Sequence, residues 1–216
     1  MTEWGSTASA APSIYVDMDD VLCETALGFI PLIAREFGKD VAFEDIHSFD
    51  LVASFGLTDT EEHRLIELMH EAEVLNAFEP IAGAASALSQ WIEAGYEVHV
   101  VTGRQPNSAE VSRGWLARFE MEHSALVFVD KYGRWDHRPE GVCVLSREEV
   151  CQHGFSLYVD DAPEMIAFLA ENTEGPVVAF DRPWNAVLPP LSPAAAARVT
   201  RCRGWADVMQ RFATLP

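Results

Sequence analysis

The chain has 216 residues, which fits one large domain or one domain that carries an inserted subdomain. Its formal net charge of −19 argues against nucleic-acid polymers and anionic membrane surfaces as partners, because both are polyanions. Hydrophobic residues make up 49% of the sequence, which supports a folded core and argues against global disorder.

The N-terminal segment lacks the basic and apolar regions of a signal peptide, and residues 1–12 are expected to form a flexible tail. No run of about 18 apolar residues is present, so no transmembrane helix is expected. The four cysteines show no metal-binding spacing and are expected to be free thiols. These features predict a cytoplasmic protein.

Short apolar runs typical of buried strands recur along the chain. They cover residues 13–16, 97–102, 125–129, 156–159 and 176–180, with residues 142–145 as a candidate extra edge strand. Helical patterns separate most of these runs. The alternation predicts an α/β fold with a Rossmann-like parallel sheet of about five strands and helices on both faces.

Capping residues indicate where the helices of this fold begin and end. Ser108 and Ser146 are favoured N-cap residues, and Pro163 is favoured at the first position of a helix. Gly95 and Gly154 are expected to end the helices that precede them.

The segment between the first two strands carries helical patterns in place of strand patterns. Thr58 and Glu61 form a capping box that predicts the start of an amphipathic helix. Its apolar side is expected to contain Leu65, Leu68, Met69 and Ala72. Pro31 is expected to kink or split an earlier helix of the same segment.

We therefore expect residues 23–78 to form a mostly helical cap inserted into the chain. The α/β core would comprise residues 13–22 and 79–216. In such an arrangement the strand ends supply the chemistry, and the cap supplies specificity and excludes water.

Carboxylates cluster where two of the apolar runs end. The stretch "SIYVDMDDVL" places Asp17, Asp19 and Asp20 after the first strand, and "SLYVDDAPE" places Asp160 and Asp161 after another. Ligands bind beyond the carboxyl ends of parallel strands, so these groups are expected to meet there. Like charges resist ionisation unless a cation lies among them, and Mg²⁺ prefers oxygen ligands.

Two further strand ends carry complementary groups. Thr102, Gly103 and Arg104 follow one apolar run, and Lys131 follows the next. One carboxylate of the acidic cluster can attack phosphorus, and a second can act as general acid and base. A hydroxyl and a cationic side chain can hold phosphoryl oxygens.

The order of these motifs resembles the haloacid dehalogenase (HAD) superfamily of aspartyl-phosphate phosphatases, over nearly the whole chain after residue 12. The helical insert resembles the C1-type cap of that superfamily. Several strings resemble its 5'(3')-deoxyribonucleotidase-like branch: "NAFEPIAGA", "GYEVHVVTGR", "LYVDDAPE", "FDRPWN" and "RVTRCRGW".

The resemblance implies a role for each catalytic residue. Asp17 would be the nucleophile, and Asp19 the general acid and base, poised to give up a proton. Thr102 would bind the transferring phosphoryl group, and Lys131 would neutralise charge between the nucleophile and the phosphate.

The resemblance also implies the ligands of the cofactor and the substrate. Mg²⁺ would be held by the Asp17 carboxylate, the Asp19 main-chain carbonyl and Asp161, with Asp160 in support. Gly103 and Arg104 would contact the substrate.

The sequence departs from the superfamily pattern at two positions. Asp20 stands where glycine usually follows the two catalytic carboxylates, which adds a charge and can alter the loop. The third motif is loosely spaced, so Arg147 is an alternative to Lys131 as its cation.

Other residues have a structural interpretation beside a functional one. His63 and His70 lie two turns apart on one helix, too far to share an ion, and are expected on a solvated face. Trp184 and Asn185 are expected to fix a C-terminal loop. Most cap aromatics are expected in the core, although one or two could stack on a base. These are Phe29, Phe37, Phe43, Phe49 and Phe55.

The sequence thus predicts a cytoplasmic, Mg²⁺-dependent phosphomonoesterase that acts on a small-molecule phosphate monoester. The resemblance favours a nucleoside monophosphate as substrate, and the alternative is another small ester such as a sugar phosphate. A phosphoacceptor switch or a non-hydrolytic binding protein of the same fold would use similar groups. The receiver-type switch has its acidic pair before its acceptor, unlike this chain. The oligomeric state is left open, a homodimer included.

Overall fold

A parallel sheet forms the centre of the fold. The computed structural model describes residues 11–48, 51–131, 140–213 and 215, and within them seven strands form one sheet. The strands are β1 (Ser13–Asp17), β2 (Glu97–Thr102), β3 (Ala125–Asp130), β4 (Val144–Ser146), β5 (Leu157–Asp160), β6 (Val177–Phe180) and β7 (Val199–Cys202). Their order is β4-β3-β2-β1-β5-β6-β7, and every neighbouring pair is parallel. The predicted α/β fold is confirmed.

Helices fill most of the connections between these strands. Five lie between β1 and β2: α1 (Thr25–Phe37), α2 (Leu51–Phe55), α3 (Asp59–Leu68), α4 (Ala72–Asn76) and α5 (Ala84–Glu93). The later helices are α6 (Ala109–Arg118), α7 (Arg147–His153), α8 (Pro163–Asn172), α9 (Pro193–Ala196) and α10 (Trp205–Phe212).

All five predicted strands are present, and the candidate edge strand corresponds to β4. The strand β7 was not predicted. Its sequence, Val199–Cys202, contains polar residues and is only partly buried at the sheet edge, so it lacks the apolar pattern of a buried strand.

The central strand β1 positions the site. All five of its residues are buried, and alternate side chains enter different apolar clusters, Ile14 and Val16 in one and Tyr15 in the other. The chain continues to β2 on one side of β1 and later to β5 on the other. This change of direction opens a crevice beyond the carboxyl end of β1, where Asp17 lies.

Most predicted helix boundaries are correct. Ser146 caps α7 in a reciprocal capping box with Glu149, and Gly154 ends that helix in the left-handed conformation. Pro163 opens α8, and Gly95 has a φ of +91° just beyond α5. Ser108 occupies the N-cap position of α6, as predicted, but its side chain makes no capping hydrogen bond. A 3₁₀ turn precedes α6, and the Ser108 hydroxyl donates to the Gln105 carbonyl instead.

The segment after β1 is helical, as predicted, with two differences in detail. Pro31 lies inside α1 and does not split it. The capping box of Thr58 opens α3, but this helix ends at Leu68, and exposed Ala72 begins α4. The division of the chain into a core and a cap remains a prediction.

The cysteines and the length of the helices can be compared with the expectations from the sequence. All four cysteines are free, as expected. Among the described residues, none of the helices combines the length and the apolar character needed to span a membrane. Residues 1–10 of the expected N-terminal tail, and Phe49, lie outside the described residues.

Candidate active site

Three carboxylates from two neighbouring strands meet beyond the sheet. Asp17 ends β1, Asp160 ends β5 and Asp161 follows, and oxygens of all three lie within 4.8 Å of one another. All three residues are buried. Burial, together with neighbouring carboxylates, raises the pKa of Asp17 and of Asp161 well above the ordinary value. A hard dication fits this set of oxygen donors and would offset their repulsion.

Lys131 supplies a positive charge to this cluster. Its Nζ lies 3.0 Å from Asp17 Oδ1 and 3.5 Å from Asp160 Oδ2. Burial disfavours the charged lysine, but the attraction of Asp160 and Asp17 outweighs it and raises the pKa of Lys131. Gly103 leaves room for this side chain, because a Cβ there would lie 3.2 Å from Lys131 Cδ.

The carboxylate of Asp160 is held by hydrogen bonds from within the protein. Its Oδ2 accepts a hydrogen bond of 2.7 Å from the Tyr15 hydroxyl, and its Oδ1 accepts one of 2.8 Å from the main-chain N–H of Ala162. These contacts fix the carboxylate beside Lys131. The expected support of a bound cation by Asp160 stays a prediction.

Arg147, the alternative cation, lies elsewhere. It is the first residue of α7, and its guanidinium carbon stands 4.6 Å from the centre of the Phe168 ring on α8. The structure therefore brings Lys131 to the carboxylates and places Arg147 in a cation–π contact.

Arg104 forms an ion pair with Asp19. Its Nη2 lies 2.7 Å from Asp19 Oδ1 and its Nε 2.9 Å from Asp19 Oδ2. The Thr25 hydroxyl donates a further bond of 2.6 Å to Asp19 Oδ1. Burial would raise the pKa of Asp19, but Arg104 and these hydrogen bonds lower it below the ordinary value. These contacts favour the ionised form of Asp19. Its expected role as general acid and base stays a prediction.

Thr102 lies between these groups at the end of β2. It is fully buried, and its hydroxyl oxygen accepts a hydrogen bond of 3.1 Å from the main-chain N–H of Arg104. The same hydroxyl lies 3.4 Å from Asp19 Oδ2. The residues predicted for the site therefore converge at one end of the sheet.

A cleft of about 280 Å³ opens above these groups. Its floor includes Asp17, Asp19, Asp161, Arg104 and Lys131. The segment predicted to form the cap contributes a mostly apolar wall. Its residues are Thr25, Ala26, Phe29, Ile46, Ser48, Phe55, Met69, His70 and Leu75. A charged floor under an apolar wall suits a ligand with an anionic end and an apolar or aromatic body.

Residues 11–212 match the family model described as 5' nucleotidase, deoxy (pyrimidine), cytosolic type C protein. The chain belongs to this family. The match confirms the resemblance to the HAD superfamily and the expectation of a phosphoric monoester hydrolase. It spans both the strand ends and the inserted helices.

Individual relatives agree with this assignment. The chain is 23% identical to "Putative nucleotidase BH1399" of Halalkalibacterium halodurans, over 89% of this chain and 91% of that protein. A phosphonoacetaldehyde hydrolase-like protein from Oleispira antarctica has a TM-score of 0.58 at 14% identity, covering 98% of this chain and 95% of the other. A HAD-superfamily hydrolase of subfamily IA from Geobacter sulfurreducens has a TM-score of 0.56 at 16% identity, covering 97% and 100%. The two structures establish the fold.

The unusual Asp20 of this family member occupies a backbone position that favours glycine. Its φ is +55°, in the left-handed region that aspartate tolerates better than most residues. The buried carboxylate accepts a hydrogen bond of 3.0 Å from the main-chain N–H of Ala26 in α1. Burial raises the pKa of Asp20 to about 8. The extra charge expected from the sequence is therefore partly suppressed by protonation.

His70 and Trp184 lie in surroundings that the sequence did not predict. His70 was expected on a solvated helix face, but it is half-buried and lines the cleft, whereas His63 is exposed as predicted. Trp184 does lie in a C-terminal loop, but its indole N–H also donates to Asp161 Oδ2 at 2.8 Å. The "FDRPWN" string was the signal in the sequence that could have pointed to Trp184.

The other aromatic residues of the inserted segment divide as the sequence suggested. Phe37 and Phe43 pack against the main apolar cluster, and Phe29 and Phe55 are buried where they also line the cleft. Asn185 fixes its loop as expected, because its amide donates to the Asp161 and Phe180 carbonyls.

Proposed function

We propose that this hydrolase is a Mg²⁺-dependent phosphomonoesterase that forms an aspartyl-phosphate on Asp17. The observation that carries the proposal is the contact of 3.0 Å between Lys131 and Asp17 on the floor of the cleft, beside the buried carboxylate of Asp161. A carboxylate that is fixed next to a lysine and a cation ligand can attack a phosphoryl group whose charge is balanced.

In the first step, an Asp17 oxygen forms a bond to phosphorus as the bond between phosphorus and the leaving oxygen breaks. Lys131 and the Thr102 hydroxyl stabilise the charge on the phosphoryl oxygens, and protonated Asp19 donates its proton to the leaving oxygen. In the second step, Asp19 takes a proton from water, whose oxygen attacks phosphorus and releases Asp17 and inorganic phosphate.

The cation would be held by the carboxylates of Asp17 and Asp161 and by the main-chain carbonyl of Asp19. When bound, Mg²⁺ supplies positive charge that offsets the carboxylates and the phosphoryl oxygens. Asp160 would keep Lys131 in place, because both of its oxygens already accept hydrogen bonds.

Arg104 controls whether Asp19 carries the proton that the first step requires. Asp19 is ionised while Arg104 binds it, and a general acid must carry a proton. An incoming phosphate dianion competes for the guanidinium, since Arg104 also lines the cleft. Loss of that partner would raise the pKa of Asp19 and favour its protonation when substrate is bound.

We propose a nucleoside monophosphate as the substrate. The family description supports this choice, and so does the wall of the cleft, where Phe29 and Phe55 present aromatic surface above the charged floor. A sugar phosphate would place hydroxyl groups against that apolar surface, which disfavours it. The four free thiols support a cytoplasmic enzyme.

Phosphate release should be measured across nucleoside monophosphates and sugar phosphates, with and without Mg²⁺. We expect Mg²⁺-dependent turnover with the highest kcat/KM among the nucleotides. If a sugar phosphate gave the highest kcat/KM, the substrate would be assigned as a sugar phosphate instead of a nucleotide. Absence of turnover on every ester, with folded protein and Mg²⁺ present, would favour a phosphoacceptor or binding protein.

A further inference from the structure

An indole N–H binds one of the carboxylates of the acidic cluster. Trp184 Nε1 donates to Asp161 Oδ2 over 2.8 Å, and both residues are buried, with relative exposures of 6% and 2%. Trp184 belongs to the 3₁₀ turn Pro183–Asn185, which follows β6. The donor is neutral, so it orients the carboxylate without cancelling the charge that a cation needs.

The turn that carries Trp184 is fixed by several hydrogen bonds. The Asn185 amide donates to the main-chain carbonyls of Asp161 and Phe180 at 2.8 and 2.7 Å. Arg201 of β7 donates to the side-chain and main-chain oxygens of Asn185, both at 2.6 Å. Because the turn is bound to Asp161 itself, to β6 and to β7, the indole has a defined position relative to Asp161.

The ring of Trp184 also contacts the inserted segment. It makes an edge-to-face contact with Phe43, with ring centres 5.7 Å apart at an interplanar angle of 77°. Phe43 opens the 3₁₀ turn Phe43–Asp45 in the segment predicted to form the cap. Packing on this face limits rotation of the indole and keeps its N–H directed at Asp161.

We propose that Trp184 is a positioning residue whose indole N–H orients the Asp161 carboxylate for the divalent cation. The inference rests on the proposed function, because it requires a cation at Asp17 and Asp161. A carboxylate that accepts an N–H at one oxygen is held in one rotamer and presents its other oxygen to the ion. Partners of this kind typically change metal affinity by about 10–100-fold.

The test is direct calorimetric titration of the metal-free full chain with Mg²⁺. Trp184→Phe keeps an aromatic ring but removes the N–H, and we expect its Mg²⁺ Kd to rise about 10–100-fold. Trp91→Phe is the matched control, because Trp91 Nε1 also donates over 2.8 Å, to the Phe212 carbonyl away from the cleft. We expect the control to bind Mg²⁺ like the wild type. A folded Trp184→Phe variant with the Kd of the wild type would overturn the inference.

A second measurement does not need the Trp184 variant to fold. The six tryptophans give separate indole N–H resonances, and Asp161→Asn identifies the one that senses this carboxylate. We expect Mg²⁺ to shift that resonance in the wild type and to leave it unmoved in Asp161→Asn. An indole resonance that does not respond to bound Mg²⁺ would contradict the inference while leaving the proposed function intact. Wild-type protein that binds no Mg²⁺ would overturn both.

Discussion

Arg104 and Asp19 form a two-point ion pair that joins the end of β2 to the loop after β1. The distances are 2.7 Å from Nη2 to Oδ1 and 2.9 Å from Nε to Oδ2, in the fork geometry that makes such pairs strong. The side chain of Arg104 is almost fully buried, whereas that of Asp19 is 27% exposed. The pair therefore contributes to stability and also occupies the group proposed as the general acid.

Arg104→Met should destabilise the folded protein, because it leaves the Asp19 carboxylate without its cation. Removing one partner of a buried pair costs about 3–5 kcal/mol, and the partial exposure of Asp19 lowers our expectation to about 1–3 kcal/mol. Arg104→Lys should recover less than half of that loss, since an ammonium cannot bind both oxygens in a fork. Urea denaturation at neutral pH measures both variants, and full recovery by lysine would contradict the two-point interpretation.

The same pair should make stability depend on pH. Arg104 lowers the pKa of Asp19 in the folded chain despite burial, so the stabilisation is fully present above the unfolded pKa of about 4. It is lost as the pH falls through the lower, folded value. Without Arg104, burial raises the pKa of Asp19 in the variant. The difference in unfolding free energy between the wild type and Arg104→Met should therefore be largest near pH 7 and shrink as the pH falls towards and below 4. A difference that stays constant into acid would show that Asp19 is not the group involved.

Lys131→Ala should lower kcat by about 10²–10³, because it removes a fixed positive charge 3.0 Å from the proposed nucleophile. Arg147→Ala is the matched control, since Arg147 packs on Phe168 and should change kcat by less than about tenfold. Both variants should be compared at saturating Mg²⁺ and saturating substrate. A larger loss of kcat in Arg147→Ala than in Lys131→Ala would show that Arg147 supplies the catalytic positive charge.

Asp17→Asn should lower kcat by at least about 10³, because an amide cannot form the aspartyl-phosphate. The fold should be retained, since burial already opposes the charge of Asp17 and Asp160 remains near Lys131. Turnover and thermal melting measure the two effects, and mass spectrometry excludes deamidation back to aspartate. A variant with substantial turnover would rule out Asp17 as nucleophile.

The groups at the strand ends were predictable because their positions follow from local patterns. A short apolar run predicts a buried strand, and a parallel sheet brings the carboxyl ends of its strands to one edge. Asp17, Thr102 and Asp160 all end strands of the same sheet, as expected. The strand β7 was missed because its half-exposed edge position leaves little apolar signal.

Side-chain pairing was not predictable from these patterns. The sequence did not reveal that Arg104 binds Asp19, which lies 85 positions earlier in the chain. The expected contact of Arg104 with substrate stays a prediction. Trp184 lies 23 positions after Asp161, and its direction depends on the course of an irregular turn. His70 reaches the cleft because the inserted helices pack over the sheet end, and helical spacing alone does not show which face is covered.

Asp20 is buried beside the acidic cluster, and burial raises its pKa to about 8. A carboxyl with a folded pKa above its unfolded value binds more protons when folded. The contribution of Asp20 to stability is therefore fully present below about pH 4 and is lost as the pH rises towards 8. Asp20→Asn removes this titration. Its amide oxygen can still accept from Ala26, and asparagine tolerates the φ of +55°.

We therefore expect Asp20→Asn to match the wild type near pH 4 and to exceed it above pH 8, by at least the ~1.4 kcal/mol of one pKa unit. Unfolding free energies of the metal-free chain, measured in urea at both pH values, test this. Asp40→Asn, an identical change at an exposed residue, is the control and should give no gain that grows with pH. An equal effect of Asp20→Asn at both pH values would mean that Asp20 is ionised throughout.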